Sequence, residues 1–284
     1  MSSRRIPLTA ALTAVVLTTG MTTTAAQVSG KPAARHAAVA KAPLDHSGVL
    51  GETVVVPPFA TGTAIARCPE GRQPSGGGGV SEDGGIFLNG SAASGNGWQT
   101  YFSNESGVPR TAAAFAVCTQ TPHVRVNGPL VEVPALATSP ASATCPEGHV
   151  VSGGGFRVSG PDGSDLLVAN LTPGQANQWF VRAVNNTSEL RRVSAYAVCS
   201  TAPHSLHAGA LVTVQPGRDA SATVACPAGQ VASGGGGRST FTGVPRALIT
   251  SSRALPGGGG WEVRFRNSDD VPRSLIAEVV CTTT

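Results

Sequence analysis

Six cysteines and three histidines stand where their types and spacing support chemistry. The cysteines are Cys68, Cys118, Cys145, Cys199, Cys226 and Cys281. No Cys-x-x-Cys occurs, so thiol redox catalysis lacks its usual motif and structural bridges are the expectation. His46, His123 and His204 each precede a valine (Val56, Val133, Val214) by ten residues. Gathered on a threefold axis, three imidazoles would offer a zinc ion its ligands. Spread along an extended array, they would be solvated linker residues. His204 and His207 are spaced as a second possible ligand pair, in what reads as a loop.

Catalytic motifs are scarce. Gly79-Val80-Ser81-Glu82-Asp83 fails the nucleophile-elbow pattern at its last position, and no His-Glu-x-x-His is present. Glu82-Asp83, Asp162, Asp165 and Asp269-Asp270 lie in turn-rich stretches, and no acidic pair recurs at one offset. The glycine runs 76–79, 153–155 and 234–237 invite a phosphate-cradle reading. That cradle needs a following lysine at a helix start, and there is no lysine after position 41. No catalytic residue and no cofactor are expected.

These residues are positioned by a unit that occurs three times. Cys68-Pro69-Glu70-Gly71 recurs as Cys145-Pro146-Glu147-Gly148 and Cys226-Pro227-Ala228-Gly229. Ser75, Ser152 and Ser233 follow at one offset, each before its glycine run. Trp98, Trp179 and Trp261 are followed six residues later by Asn104, Asn185 and Asn267, and 14 residues after those by the second cysteine. The repeats span 43–120, 121–201 and 202–284, after a leader (1–26) and an Ala-rich spacer (27–42). Repeat symmetry favours Cys68–Cys118, Cys145–Cys199 and Cys226–Cys281, although sequence alone leaves other pairings open. Closing a loop of about 50 residues stabilises by roughly 4 kcal/mol on the chain-entropy model.

Alternation marks strands. Trp261, Val263 and Phe265 share one face against Glu262, Arg264 and Arg266, and Leu275, Ala277 and Val279 share parity with Cys281. About four or five strands per repeat are expected, with Trp98, Trp179 and Trp261 as core residues over the glycines and Asn104, Asn185 and Asn267 as turn starters. An exposed tryptophan would instead be a sugar-stacking platform. Length varies only between the glycines and the Trp, with 30, 34 and 35 residues from Cys to Trp. The variable surface loops are therefore placed within 80–97, 157–178 and 238–260.

Arg4-Arg5 and the apolar run 6–17 read as an export signal, with cleavage after Thr24-Ala25-Ala26 or Ala38-Val39-Ala40. The net charge of +4 includes five cations before residue 43; beyond it, 15 Arg face 16 acidic residues. No basic footprint for nucleic acid remains, and no later stretch is apolar enough to span a membrane.

The Cys-Pro-x-Gly-x-x-x-Ser-Gly-Gly-Gly motif with its Trp-x5-Asn-x13-Cys tail resembles repeats of secreted actinobacterial proteins without assigned activity. Cys-Pro-x-Gly is also similar to motifs of the vitelline membrane outer layer family, which implies a β-prism of three pseudo-symmetric sheets. The expected fold is all-β: three homologous repeats, each a small antiparallel sheet or sandwich with one disulfide. They are either packed with pseudo-threefold symmetry or strung as beads. The expected function is a secreted, extracellular, non-catalytic binding or structural protein, multivalent towards a carbohydrate or cell-envelope partner. The alternatives are a protein-binding module or protease inhibitor and, third, a hydrolase with a site in one repeat.

Overall fold

The computed structural model describes residues 45–81, 84–159, 166–240 and 246–283. The expected leader and spacer, Glu82-Asp83, Asp162, Asp165 and parts of the three variable segments lie outside the described residues. Each repeat forms seven strands, more than the alternation predicts, because several strands are too short or too glycine-rich to carry a period. Repeat 1 holds β1 (Ser47–Leu50), β2 (Val54–Val56), β3 (Thr61–Arg67), β4 (Gln73–Ser81), β5 (Ile86–Ser94), β6 (Gly97–Asn104) and β7 (Arg110–Thr119). Repeat 2 holds β8 (Val124–Asn127), β9 (Val131–Val133), β10 (Thr138–Thr144), β11 (Val150–Ser159), β12 (Leu166–Gln175), β13 (Gln178–Asn185) and β14 (Arg191–Ser200). Repeat 3 holds β15 (His204–Ala208), β16 (Val212–Val214), β17 (Asp219–Ala225), β18 (Val231–Thr240), β19 (Ala247–Ala254), β20 (Gly260–Asn267) and β21 (Arg273–Thr282).

The strands make three seven-stranded antiparallel sheets, and no sheet belongs to one repeat. One runs β1-β7-β4-β19-β20-β17, with β2 also on β7; the next runs β3-β6-β5-β11-β14-β8, with β9 on β14; the third runs β10-β13-β12-β18-β21-β15, with β16 on β21. Every repeat thus gives four strands to one sheet and three to the next. The arrangement is the packed, pseudo-threefold one; beads are excluded. The inter-repeat seams are narrow, at Ser252↔Gly79, Phe156↔Ser91 and Asn170↔Arg238. Side chains reinforce all three: Ser81 Oγ donates to Thr250 O (2.8 Å) and Ser251 Oγ to Gly79 O (3.2 Å), Arg157 Nη2 donates to Ala93 O (3.0 Å), and Asn170 Oδ1 accepts from Ser239 N (3.1 Å).

The glycine runs do three jobs at once. Each opens on a β-bulge, at Pro74/Gly76, Val151/Gly153 and Ala232/Gly234. Gly77, Gly154 and Gly235 lie under Trp98, Trp179 and Trp261, where a Cβ would come within 2.4–2.5 Å of the indole. Gly76, Gly153 and Gly234 meet the backbone of the neighbouring repeat, with room for nothing larger than hydrogen. The same approach lets Ser75 Oγ donate to Ser233 O (2.9 Å), Ser233 Oγ to Ser152 O (2.7 Å) and Ser152 Oγ to Ser75 O (3.0 Å). This closed ring of buried serines sits on the pseudo-threefold axis. Around it the three tryptophans are fully buried in one continuous core, as expected of core residues and not of sugar platforms.

All three disulfides join the first and last cysteines of a repeat, Cys68–Cys118, Cys145–Cys199 and Cys226–Cys281. The segments expected to be variable surface are mostly buried strand, β5, β12 and β19. Among the described residues, β5, β12 and β19 have 9, 10 and 8 residues, β12 carries a second bulge at Pro173/Gln175, and repeat 3 has the longer hairpin, at 255–259.

Candidate metal centre

At one end of the prism the chain passes from β7 to β8 and from β14 to β15, each time into the next sheet. His123 stands on the first crossover and His204 opens the strand after the second. His46 stands in the same place before β1. In register, Ser47 is opposite Cys118, Val124 opposite Cys199 and Ser205 opposite Cys281, so the three histidines occupy one level, beside the bulges that carry the serine ring.

The sequence predicts these histidines as a set, and the fold brings them together. Their ring centroids lie 6.2 Å (His46–His123), 6.4 Å (His46–His204) and 6.2 Å (His123–His204) apart, with ring planes at 80–82° to one another. One ring nitrogen from each lies within 4.8 Å of the other two. An equilateral triangle of that edge puts each donor about 2.8 Å from its centre, against about 2.0–2.1 Å for a Zn–N bond. An inward shift of under about 1 Å per ring completes a trigonal face.

The tautomers are set by the backbone. His123 Nδ1 lies 2.7 Å from Thr121 O and His204 Nδ1 lies 2.7 Å from Ala202 O. A carbonyl only accepts, so Nδ1 carries the proton in both rings and the Nε2 lone pair is the one available to an ion. Both Nε2 atoms are buried and without a hydrogen-bond partner among the described residues. Burial pushes the His123 pKa down to about 4, with the neighbouring His204 adding to the effect against the bond to Thr121. Burial also lowers that of His204. Both rings are neutral at ordinary pH.

Asp45, which sequence reading passes over, fixes the third ligand. Its carboxylate accepts from Gln120 N (2.6 Å), Thr121 N (3.1 Å), Thr119 Oγ1 and Arg72 Nη2 (2.9 Å). Burial raises its pKa, but the bonds from Thr119, Gln120 and Thr121 and the charge of Arg72 outweigh that and hold it below the usual carboxylate value. The same loop thus anchors Asp45 through its N–H groups and orients His123 through Thr121 O. A cavity of about 440 Å³ is lined by His46 together with Leu50, Phe115, Leu255 and Pro256.

The other residues singled out fall elsewhere. His207 bonds Ser205 Oγ through Nε2 (2.9 Å) and is not part of the cluster. Asn104, Asn185 and Asn267 lie at the opposite end as buried spools. Asn185 Nδ2 reaches Val133 O, Pro134 O and Glu189 O (2.9, 3.0 and 2.7 Å), while its Oδ1 accepts from Thr187 N (3.0 Å). No protein-family model matches the chain, and no curated protein does.

Proposed function

We propose that this chain is a non-catalytic binding protein of an oxidising extracellular space whose ligand is a late first-row transition-metal ion, held by His46, His123 and His204. The observation that carries the reading is the convergence of one ring nitrogen from each repeat within 4.8 Å, with Nδ1 of two rings already tied to backbone carbonyls. Three neutral imidazoles suit Zn²⁺ and Cu²⁺, whereas Mg²⁺ and Ca²⁺ require oxygen donors. The buried lone pairs support holding the ion over turning substrate at it.

Three disulfides support an oxidising compartment, and no helix among the described residues is long and apolar enough to cross a membrane. The burial of all three tryptophans moves the binding reading from the rim to the axis, since no indole face is presented to a sugar. Titration calorimetry on the purified, oxidised protein tests it. One equivalent of Zn²⁺ or Cu²⁺ is expected to bind, with no heat from Mg²⁺ or Ca²⁺. His123→Ala should weaken binding by more than about 100-fold, the upper range seen for losing an outer partner alone. Absence of stoichiometric binding by any of Zn²⁺, Cu²⁺, Ni²⁺ and Co²⁺ would sink the proposal.

A further inference from the structure

We propose that the cavity between repeat 1 and the long hairpin of repeat 3 binds a small organic anion with a flat apolar body. The site is independent of the metal reading, and arginines cover its counterparts on the other two flanks.

The difference between flanks is written in one strand position. Two residues after Gly78, Gly155 and Gly236, and so on the same strand face, stand Val80, Arg157 and Arg238. Arg157 lies 5.1 Å over the ring of Tyr196, and Arg238 binds Glu278 at 2.8 Å. Each guanidinium thereby covers the residue opposite its glycine. Val80 is too short to cover Phe115, which instead lines the cavity of about 440 Å³. Repeat 3 supplies the rest of the wall. Its hairpin holds residues 255–259, where repeats 1 and 2 turn through 95–96 and 176–177. Pro256 opens a single 3-10 turn, and Gly257 and Gly258 follow with φ of 75° and 73°. Leu255 and Pro256 of this hairpin line the cavity together with Leu50 of β1.

The volume lies in the range of small-molecule sites, which pair a mostly apolar lining with a few placed polar groups. Phe115 is a fixed surface within it. Its ring meets Trp261 edge-on at 6.2 Å and presses on Gly48, where a Cβ would come within 2.8 Å of it. Such a ring suits a flat aromatic group. Arg253 is the polar counterpart in the lining. It precedes the residue opposite Trp261, and the equivalent positions in repeats 1 and 2 carry Ala92 and Thr172. Glu262 Oε2 accepts from Nε and Nη2 of Arg253, both at 3.0 Å. That grip fixes the guanidinium and leaves its Nη1 edge to a second acceptor. A carboxylate or sulfonate on the ligand makes that bond charge-assisted.

Fluorescence titration of the full oxidised protein with anilinonaphthalene sulfonate tests the site, with EDTA present so that no ion at His46 contributes. Phenylnaphthylamine, the same body without the sulfonate, is titrated in parallel. The sulfonate is expected to saturate a single site at least about tenfold more tightly than the amine, the lower end for a hydrogen bond to a charged group. Arg253→Ala should erase that preference and keep the binding of the amine. Val80→Arg gives this flank the residue of the other two and should abolish binding of both probes. Leu50→Asp, at a residue 59% exposed, should weaken both by at least about tenfold, as loss of one apolar contact surface does, and it decides the matter if Val80→Arg does not fold. Equal affinity for the two probes would overturn the anion. No saturable binding, or binding unchanged by Leu50→Asp and by a folded Val80→Arg, would overturn the site and leave the metal reading standing.

Discussion

Along its axis the molecule is three times the same thing, while on its flanks it is three different things. Ser75, Ser152 and Ser233 are identical, fully buried and bonded in a closed ring. A few residues outward, Gly78, Gly155 and Gly236 pair with Phe115, Tyr196 and Glu278, one structural position with three chemistries. Phe115 and Tyr196 meet the tryptophans Trp261 and Trp98 edge-on, at 6.2 and 6.3 Å. Arg157 lies 5.1 Å over the Tyr196 ring, and Arg238 pairs with Glu278 at 2.8 Å. The axial serines all have partners, whereas Tyr196 Oη, Glu278 Oε2 and Trp179 Nε1, like Nε2 of His123 and His204, are buried without one among the described residues. Where each copy touches its own equivalents, a change must suit three partners at once. Where it touches unlike neighbours, each copy has its own solution.

The comparison breaks most sharply at the glycines. A Cβ on Gly155 would lie 1.7 Å from Ser91 O, a backbone atom that cannot step aside. Gly155→Ala should therefore cost more than about 4 kcal/mol in urea unfolding, the exceptional range for one substitution. Gly95→Ala, at a hairpin tip with open space and φ of 56°, should cost only about 1 kcal/mol. If the two losses were equal, the close approach at the seam between repeats would not matter.

The disulfides come next. The bridged residues are 50, 54 and 55 apart in sequence, so removing any one pair, such as Cys145→Ala with Cys199→Ala, should cost about 4 kcal/mol on the chain-entropy model. Losses that differ strongly between repeats would mean the flanks, and not the shared plan, set local stability.

Both results bear on how much of this molecule its sequence discloses. The repeat, the cysteine pairing and the histidine register are legible because they are identical residues at identical offsets, which survive any choice of topology. The exchange of strands between repeats is not. Alternation in Trp261-Val263-Phe265 says which face is buried, but nothing in repeat 3 says that Ser252 on β19 pairs with Gly79 on β4 of repeat 1. The glycine runs have no period, so nothing in them marks β4, β11 and β18 as the central strands. Phe59 and Leu136 adopt φ of 52°, at a turn where repeat 3 carries Gly217 with φ of 66°, and neither side chain announces a left-handed backbone. Asp45 sits at the edge of the spacer, and only the fold brings the loop 119–121 to it.

Smaller effects sharpen the same contrast. Ser152→Ala removes one member of the ring and should cost about 1–2 kcal/mol, a buried hydrogen bond with its stranded acceptor. Adding Ser75→Ala should depart from additivity by at least about 0.5 kcal/mol, since Ser152 Oγ donates to the carbonyl of Ser75 itself. Simple additivity would show three separate bonds and no ring. The smallest change concerns Glu278. Burial raises its pKa above the ordinary value of 4.5, against the opposing bond and charge of Arg238. The folded state then keeps a proton that the unfolded chain releases. The group's stability contribution is full below about 4.5 and is lost as pH rises through the folded value. The urea midpoint should fall more between pH 4 and pH 7 in the native protein than in Glu278→Gln. Identical slopes would put Glu278 in water.

Because each sheet is completed by the next repeat, a single repeat is a protomer in all but its covalent bonds. Its β4–β7 face is shaped for the β19–β20 type of edge, and its own β5–β6 edge for the β11–β14 type. Three separate copies of a consensus repeat carry every surface needed to rebuild the prism as a ring of identical subunits, with the serines and histidines on a true symmetry axis. The tandem chain is that trimer written in one polypeptide, which frees each flank to become its own.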